Sequence, residues 1–177
     1  MKNDIARILI SEAEINECCQ RLGKQIEEDY KDKNPIVVGL LKGCEPFMSD
    51  LIKKIGTYIR TDYMDCSSYV GTESRGTILI KKDMDEDVRG QDVIVVDDII
   101  DSGATLYDIV NMLKNRGAKS VKTCVLLSKN VKRKYDFPVD YVGTTVENEF
   151  VVGYGLDYNE AYRNLPYIGV LKEELYK

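Results

Sequence analysis

Three aspartates follow one strongly apolar stretch of the sequence. Residues 93–96 read VIVV, a continuous apolar run that is typical of a strand buried on both faces of a parallel sheet. Asp97 and Asp98 come directly after this run, and Asp101 opens the short polar segment DSGAT at residues 101–105. Carboxylates placed at the end of a buried strand can hold hydroxyl groups, a divalent cation or a proton, so this stretch is the first candidate for chemistry.

The segment DSGAT lies between the predicted strand and a predicted helix. The apolar positions of that helix recur at helical spacing: Leu106, Ile109, Val110 and Leu113. A strand, a short loop and a helix start bring backbone N–H groups and the positive end of the helix dipole to one spot, which favours a phosphate. Ser102 and Thr105 add hydroxyl donors, Ala104 adds an N–H group, and Gly103 allows close approach. An ordinary turn with a well-capped helix would give the same pattern.

Asp97 and Asp98 would repel an anion bound at this loop. The conflict is removed if the ligand brings hydroxyl groups for the carboxylates, or if it brings Mg²⁺. A ribose phosphate that carries a pyrophosphate does both. No lysine follows Gly103 as a P-loop requires, and no G-x-G-x-x-G run is present, so two other phosphate-binding motifs are excluded.

The composition narrows the class of protein and of chemistry. The chain has 177 residues, which fits one domain with a sizeable core. Its formal net charge is −5 and no Lys/Arg run stands out, which argues against a general nucleic-acid surface. There is no histidine, so imidazole catalysis and histidine metal ligands are excluded. Carboxylates or the substrate must therefore carry any acid–base step near neutral pH.

Cysteine use and apolar run length indicate the compartment. The five cysteines are odd in number and form no C-x-x-C motif, so neither a disulfide framework nor a zinc site is expected. The N-terminal sequence carries acids early and lacks the long apolar core of a signal peptide. No stretch reaches the ~18 apolar residues of a membrane span. We therefore expect a cytoplasmic protein with no membrane partner.

Alternating strand and helix patterns predict the fold class. Strands are predicted at residues 36–41, 57–65, 77–82, 93–96, 121–127, 141–146 and 168–171. Helices are predicted after a capping box at Ser11, from Pro46, and after the DSGAT loop. This order predicts an α/β fold with a central, mainly parallel, twisted sheet flanked by helices. Lys42 and Lys129 each end a buried strand, which is the ligand edge of such a sheet, although a lysine there is more often a solvated strand end.

The run VVDDIIDSGAT resembles the phosphoribosyl-pyrophosphate signature of the type I phosphoribosyltransferases. Within them it resembles the bacterial hypoxanthine-guanine phosphoribosyltransferases. Further segments resemble that family in the same order: LLKG at 40–43, SSY at 67–69, LLSK at 126–129 and FVVGYGLDYNEAYRNL at 150–165. The resemblance covers most of the chain. It implies one domain over residues 1–177, a mobile lid at about 66–78, and a small hood formed by the N-terminal segment and residues from about 130 to 177.

The resemblance also implies a reaction and a base site. Such an enzyme transfers the 5-phosphoribosyl group from phosphoribosyl pyrophosphate to hypoxanthine or guanine, forming IMP or GMP and pyrophosphate. Asp101 would handle the proton at purine N7, and Lys129 would donate to the 6-oxo group. Phe150 would stack on the base, while Val151 and Asp157 would line its far edge.

The remaining implied roles concern the sugar and its phosphates. The 5′-phosphate would bind to Asp101, Ser102, Gly103, Ala104 and Thr105. The ribose hydroxyls would bind to Asp97 and Asp98, and the Mg²⁺ would be held near Asp97, Asp98 and Asp157. The pyrophosphate would bind to Lys42, Gly43 and Arg163. Ser68 and Tyr69 would close with the lid over the reacting sugar and exclude water.

Two other functions share the sugar-phosphate loop. A regulator on the same fold could sense phosphoribosyl pyrophosphate while binding RNA or DNA, because fold alone does not set function. The lack of a basic run and the full set of purine-side residues favour the enzyme. A phosphoribosyltransferase for adenine or a pyrimidine lacks support from Lys129, Phe150 and Val151. For the enzyme, the family resemblance implies a homodimer or a homotetramer.

Overall fold

The computed structural model describes residues 1–68, 78–135 and 137–177. Three helices are present in this part of the chain: α1 (Glu12–Asp29), α2 (Glu45–Ile52) and α3 (Ala104–Asn115). The strands are β1 (Ile5–Ile10), β2 (Ile36–Leu41), β3 (Arg60–Ser68), β4 (Ile78–Lys82), β5 (Asp92–Ile100), β6 (Ser120–Lys129), β7 (Tyr141–Val146), β8 (Val151–Val152) and β9 (Ile168–Leu171). Short 3-10 helices precede β1 and follow β9.

Six of these strands form the central sheet, in the order β4-β3-β2-β5-β6-β7. All neighbouring pairs are parallel except β3 with β4, so the sheet is mainly parallel with one antiparallel edge. The prediction of an α/β fold with a mainly parallel central sheet is confirmed. Parallel strands share a direction, so the carboxyl ends of β2, β3, β5 and β6 lie along one edge.

Helices cover both faces of this sheet. The side chains of β5 alternate, with Val93 and Val95 in one apolar cluster and Ile94 and Val96 in the other. Buried residues of α1 and α2 pack in the cluster that contains Ile94, while those of α3 pack in the cluster that contains Val93. Burial on both faces is what the continuous apolar run predicted.

Strand pairing moves several of the predicted boundaries. β5 continues to Ile100, because its ladder with β6 pairs Asp97 with Val125 and Ile99 with Leu127. Asp97 and Asp98 therefore lie within the strand, and the prediction that the strand ends before them is wrong. β6 likewise runs to Lys129, beyond the predicted end at residue 127. Backbone pairing, rather than side-chain polarity, decides where a strand ends.

The chain ends meet in a second, three-stranded antiparallel sheet with the order β1-β9-β8. Its inward side chains, Ile10, Val151 and Ile168, belong to the same apolar cluster as the α1 face of the central sheet. α1 begins with the expected capping box, in which Ser11 and Glu14 satisfy each other's backbone N–H groups. None of the helices in the three described ranges is both long and apolar enough to cross a membrane.

Candidate active site

A cavity of about 200 Å³ opens at the carboxyl end of the two central strands. Its walls come from the ends of β2, β3 and β5 and from the start of α3. The lining residues are Leu40, Leu41, Cys66, Asp97 and residues 99–106. Asp97, Asp101 and the rest of the DSGAT loop thus line one concave site.

The DSGAT loop turns tightly into α3 within this cavity. Gly103 is the N-cap of α3 and has φ +75°, a left-handed conformation that an L side chain rarely adopts. Ser102 Oγ lies 3.4 Å from the Ala104 N–H group, at the first residue of the helix. The backbone N–H groups and the positive end of α3 therefore border the cavity, which favours an anion such as phosphate.

Asp97 and Asp98 form a partly buried carboxylate pair beside this loop. Asp97 Oδ1 accepts from the Asp98 N–H group at 3.0 Å, and Asp98 Oδ1 accepts from the Ile99 N–H group at 2.7 Å. Desolvation raises the pKa of both carboxyls, and the neighbouring charge of Asp98 raises that of Asp97 further. The pair thus favours a bound proton or a cation.

The segment after β2 lies against the carboxylate pair. A Cβ atom on Gly43 would lie 1.8 Å from Asp98 Oδ2, so only glycine fits there without moving the carboxylate. A Cβ atom on Gly155 would lie 2.0 Å from the Gly43 carbonyl oxygen. Three distant segments therefore pack closely at this edge: the Asp98 carboxylate lies against Gly43, and the Gly43 carbonyl lies against Gly155. The peptide bond between Leu41 and Lys42 is cis.

Lys129 and Asp101 form an ion pair at the entrance of the cavity. Their Nζ and Oδ2 atoms lie 3.1 Å apart, and the Lys129 side chain is only 15% exposed. Lys129 also lines a neighbouring cavity of about 550 Å³ together with Phe150. One lysine therefore connects the loop aspartate to an aromatic ring, as a site for a flat polar heterocycle requires.

The ring of Phe150 is held by two tyrosines. Tyr176 stacks on it, with ring centroids 4.5 Å apart and planes inclined by 20°. Tyr158 contacts it edge to face at 5.5 Å. Val151, the next residue, is buried and packs in the core. The C-terminal segment thus fixes the orientation of the ring.

Lys42 and Arg163 meet through acidic residues. Lys42 Nζ lies 2.9 Å from Glu160 Oε2, and Arg163 Nη2 lies 3.2 Å from Glu160 Oε1. Arg163 Nη2 also lies 2.9 Å from Asp157 Oδ1, and its Nη1 donates to the Gly155 carbonyl at 2.7 Å. Lys42 and Arg163, the two cationic side chains predicted to bind pyrophosphate, are therefore close together, with the Glu160 carboxylate between them.

A family profile described as Phosphoribosyl transferase domain matches residues 7–159. The chain belongs to the phosphoribosyltransferase family. The match spans the carboxylate pair, the DSGAT loop and Lys129, whereas Glu160, Arg163 and Tyr176 lie beyond its last residue.

Curated relatives agree with this assignment. The hypoxanthine-guanine phosphoribosyltransferase of Streptococcus pneumoniae R6 is 53% identical over 99% of this chain and 98% of its own length. That of Bacillus subtilis strain 168 is 51% identical over 100% of this chain and 99% of its own. The chain spans only 27% of the bifunctional TilS/HprT protein of Listeria monocytogenes, to which it is 54% identical.

Solved structures of phosphoribosyltransferases share the whole fold. A hypoxanthine phosphoribosyltransferase from Staphylococcus aureus superposes with a TM-score of 0.96 at 47% identity, over 100% of this chain and 97% of the other. A hypoxanthine-guanine-xanthine phosphoribosyltransferase superposes with a TM-score of 0.89 at 40% identity, over 97% and 99% of the two chains.

Most residues proposed for this phosphoribosyltransferase are brought to one edge, but not all can be placed. Ser68 ends β3, the strand that pairs with β2, whereas Tyr69 lies outside the described residues, as does most of the predicted lid. Within the described ranges, no group of three acidic or cysteine side chains is arranged to hold a metal. Asp157 faces Arg163 instead, so a shared three-aspartate metal site is not preformed.

Sequence reasoning missed three residues that contact the site. Glu160 forms ion pairs with Lys42 and Arg163, the two cations predicted to bind pyrophosphate. Its position three residues before Arg163 was the sequence signal that could have indicated the second pair. Tyr176, which follows β9 near the C-terminus, stacks on Phe150. No local sequence pattern indicates this contact. Arg133 donates to Ser128 Oγ at 2.9 Å and lies beside Gly103, so it supports the loop from outside.

Proposed function

We propose that this phosphoribosyltransferase is an enzyme of purine salvage that joins hypoxanthine or guanine to phosphoribosyl pyrophosphate. The products are IMP or GMP and pyrophosphate. Relatives about half identical to this chain carry that activity in their names. The structural observation that carries the proposal is the Lys129–Asp101 pair beside the ring of Phe150.

The charges of this pair match one edge of a 6-oxopurine. That edge presents the 6-oxo group, an acceptor, next to N7, which carries a proton in one tautomer of the free base. A lysine ammonium has only donors and an ionised aspartate only acceptors. Lys129 would therefore donate to the oxo group while Asp101 accepts from the N7 position, and Phe150 would stack on the ring. Val151 and Asp157 would border the far edge of the base.

The sugar phosphate would lie in the adjoining cavity. Residues 102–105, with Asp101, would bind the 5′-phosphate through backbone N–H and hydroxyl groups. The carboxylates of Asp97 and Asp98 would accept from the ribose hydroxyls and stabilise positive charge as the bond to pyrophosphate lengthens. Lys42, Gly43 and Arg163 would bind the departing pyrophosphate. Positioning and charge stabilisation, rather than covalent catalysis by the protein, would supply the rate.

A magnesium ion fits this donor set. Mg²⁺ prefers carboxylate oxygens and substrate phosphates, and usually keeps several waters. Asp97 and Asp98 offer such oxygens, and burial raises the pKa of both, so a cation that compensates their desolvated charges would be favoured there. Bound there, Mg²⁺ would neutralise the pyrophosphate as a leaving group. Asp157 would act near the ion but pairs here with Arg163.

Further parts of the proposal concern the whole chain. We expect one domain over residues 1–177, with residues of about 66–78 as a lid that carries Ser68 and Tyr69. The sheet formed by the chain ends would be the hood. We further propose a homodimer or homotetramer in the cytoplasm, a compartment that suits the five unpaired cysteines. Neither a membrane nor nucleic acid is expected as a partner.

A coupled assay tests this function. The protein with phosphoribosyl pyrophosphate and Mg²⁺ should form IMP from hypoxanthine, and should form almost no AMP from adenine. Excess EDTA should abolish the transfer, and added Mg²⁺ should restore it. Full activity in EDTA would contradict the metal-binding role of Asp97 and Asp98. Inactivity with every purine, together with RNA or DNA retention in a filter-binding assay, would favour the regulator instead.

A further inference from the structure

Glu160 lies between the two cations of the proposed pyrophosphate site. Its Oε2 atom is 2.9 Å from Lys42 Nζ, and its Oε1 atom is 3.2 Å from Arg163 Nη2. Both carboxylate oxygens are thus used, and the two cations hold the pKa of Glu160 below its ordinary value. Two anionic oxygens shared between an ammonium and a guanidinium also describe how a bound pyrophosphate would be held.

The position of Glu160 is not explained by packing. Its side chain is 66% exposed and that of Lys42 is 61% exposed, so the pair contributes little to the core. The backbone of Asn159 and Glu160 is left-handed, with φ of 52° and 61°, which is uncommon for residues other than glycine. The Glu160 N–H group donates to Asp157 Oδ2 at 2.9 Å, and this bond holds the turn.

Arg163 does not depend on Glu160 for its position. Its Nη1 donates to the Gly155 carbonyl and its Nη2 contacts Asp157, so the guanidinium is fixed by two other groups. Removing the Glu160 charge would therefore leave the arginine in place. It would leave Lys42 without that partner and would relieve Arg163 of one of its two acidic neighbours.

We propose that Glu160 competes internally with pyrophosphate for Lys42 and Arg163. This inference rests on the proposed function, in which these cations bind the pyrophosphate group. A carboxylate and a diphosphate need the same donors and repel each other, so one must leave before the other binds. Glu160 swings out when phosphoribosyl pyrophosphate enters and returns as pyrophosphate departs. It thereby weakens binding of both pyrophosphate-bearing ligands and speeds product release.

Calorimetry with pyrophosphate and Mg²⁺ tests the inference without turnover. Glu160→Gln keeps the shape but removes the charge, and should bind pyrophosphate about 3–10-fold more tightly, the scale of two exposed ion pairs. The matched control is Glu86→Gln, which removes a carboxylate 2.9 Å from Arg60 at the amino end of β3, away from the site. It should bind pyrophosphate like the wild type. In Lys42→Met, adding Glu160→Gln should give a smaller gain.

The outcomes separate this inference from the proposed function. Equal or weaker pyrophosphate binding by Glu160→Gln, with normal binding by the wild type, overturns only the competitor role. A merely structural role for Glu160 predicts that weakening, since loss of a support lowers affinity. No pyrophosphate binding by either protein contradicts the pyrophosphate site itself and the competitor role with it. Pyrophosphate binding by Glu160→Gln but not by the wild type supports both the pyrophosphate site and the competitor role.

Discussion

In the proposed function, the ion pair of Asp101 and Lys129 would place opposite charges where one purine edge needs a donor and an acceptor. The 3.1 Å contact forms between residues on two different elements, the DSGAT loop and the end of β6. Lys129 is only 15% exposed whereas Asp101 is 56% exposed, so the ammonium is largely removed from water while the carboxylate stays accessible. Each partner can therefore be tested by its own effect on the reaction.

Replacing Asp101 with asparagine tests proton handling. The substitution is close to isosteric but removes the ability to accept a proton, and such assistance is typically worth ~10²–10⁴-fold. We expect kcat to fall by about that range while the affinity for phosphoribosyl pyrophosphate changes little. Steady-state kinetics and calorimetry of the sugar phosphate measure the two quantities. A kcat close to that of the wild type would mean that the proton goes elsewhere.

Replacing Lys129 with alanine tests base selection. Adenine carries an amino donor at position 6, which would face the ammonium without a hydrogen bond, so the wild type should strongly reject adenine. Lys129→Ala should lose ~1.5–3 kcal/mol in kcat/KM for hypoxanthine, the scale of a charged hydrogen bond, and much less for adenine. Lys132 is nearby and exposed, so Lys132→Ala is the control and should leave kcat/KM unchanged for both hypoxanthine and adenine. An unchanged hypoxanthine-to-adenine ratio in Lys129→Ala would contradict its role.

Among the elements of the fold, three segments pack closely around Gly43 and position the site. The segment after β2, the end of β5 and the turn after β8 meet where Gly43 lies between Asp98 and Gly155. Because a Cβ atom on Gly43 or Gly155 would clash, a movement of one segment would be passed to the next. The groups proposed to bind pyrophosphate and the carboxylate pair would thus be positioned together.

Replacing Gly155 with alanine tests this coupling. Its φ is +97° and its new Cβ atom would meet the Gly43 carbonyl, so overpacking of about 1–3 kcal/mol adds to backbone strain. We expect lower stability and a raised KM for phosphoribosyl pyrophosphate. Gly90 has φ +70° with nothing within 4 Å of its added Cβ, so Gly90→Ala isolates the strain, about 1–2 kcal/mol. Equal kinetics in the two variants would count against loop coupling.

For the molecule as a whole, the carboxylate pair opposes folding in the absence of a ligand. Burial raises the pKa of Asp97 and Asp98 above the unfolded value of ~3.9, and the charge of Asp98 raises the pKa of Asp97 further. The folded state therefore binds more protons than the unfolded state, and stability from this pair is lost as pH rises from about 4 through the folded pKa. Stability would thus be given up at neutral pH for the proposed binding of a cation and ribose hydroxyls.

Replacing Asp97 with asparagine should stabilise the ligand-free protein at neutral pH while reducing transfer. Each unit of pKa shift that the substitution removes adds ~1.4 kcal/mol to the free energy of unfolding at neutral pH, and this gain should shrink toward pH ~4. Urea unfolding in EDTA across a pH series measures it. Asp87→Asn is the control, because its exposed carboxyl has a pKa lowered to about 2 by Arg89 and should give no gain. A pH-independent difference between Asp97→Asn and the wild type would exclude the linkage.

Local patterns in the sequence predict the fold class and the loop proposed to bind the 5′-phosphate. The apolar runs of β2 and β5, the capping box of α1 and the glycine at residue 103 are each read from neighbouring residues, because strand burial, helix capping and left-handed turns depend on local patterns. Parallel strands then bring Asp97, Asp101 and Lys129 to one edge by topology alone. These parts of the site could be predicted before any coordinates.

The pairing of side chains at this edge depends on the tertiary structure. Lys42 meets a carboxylate 118 residues away, and Tyr176 covers a face of Phe150. The fit of Gly43 against Asp98, and the continuation of β5 through both aspartates, likewise depend on neighbouring strands and loops. Periodicity and capping report contacts within one element. Ion pairs, ring stacking and backbone contacts between distant segments are set by packing, which no local pattern encodes.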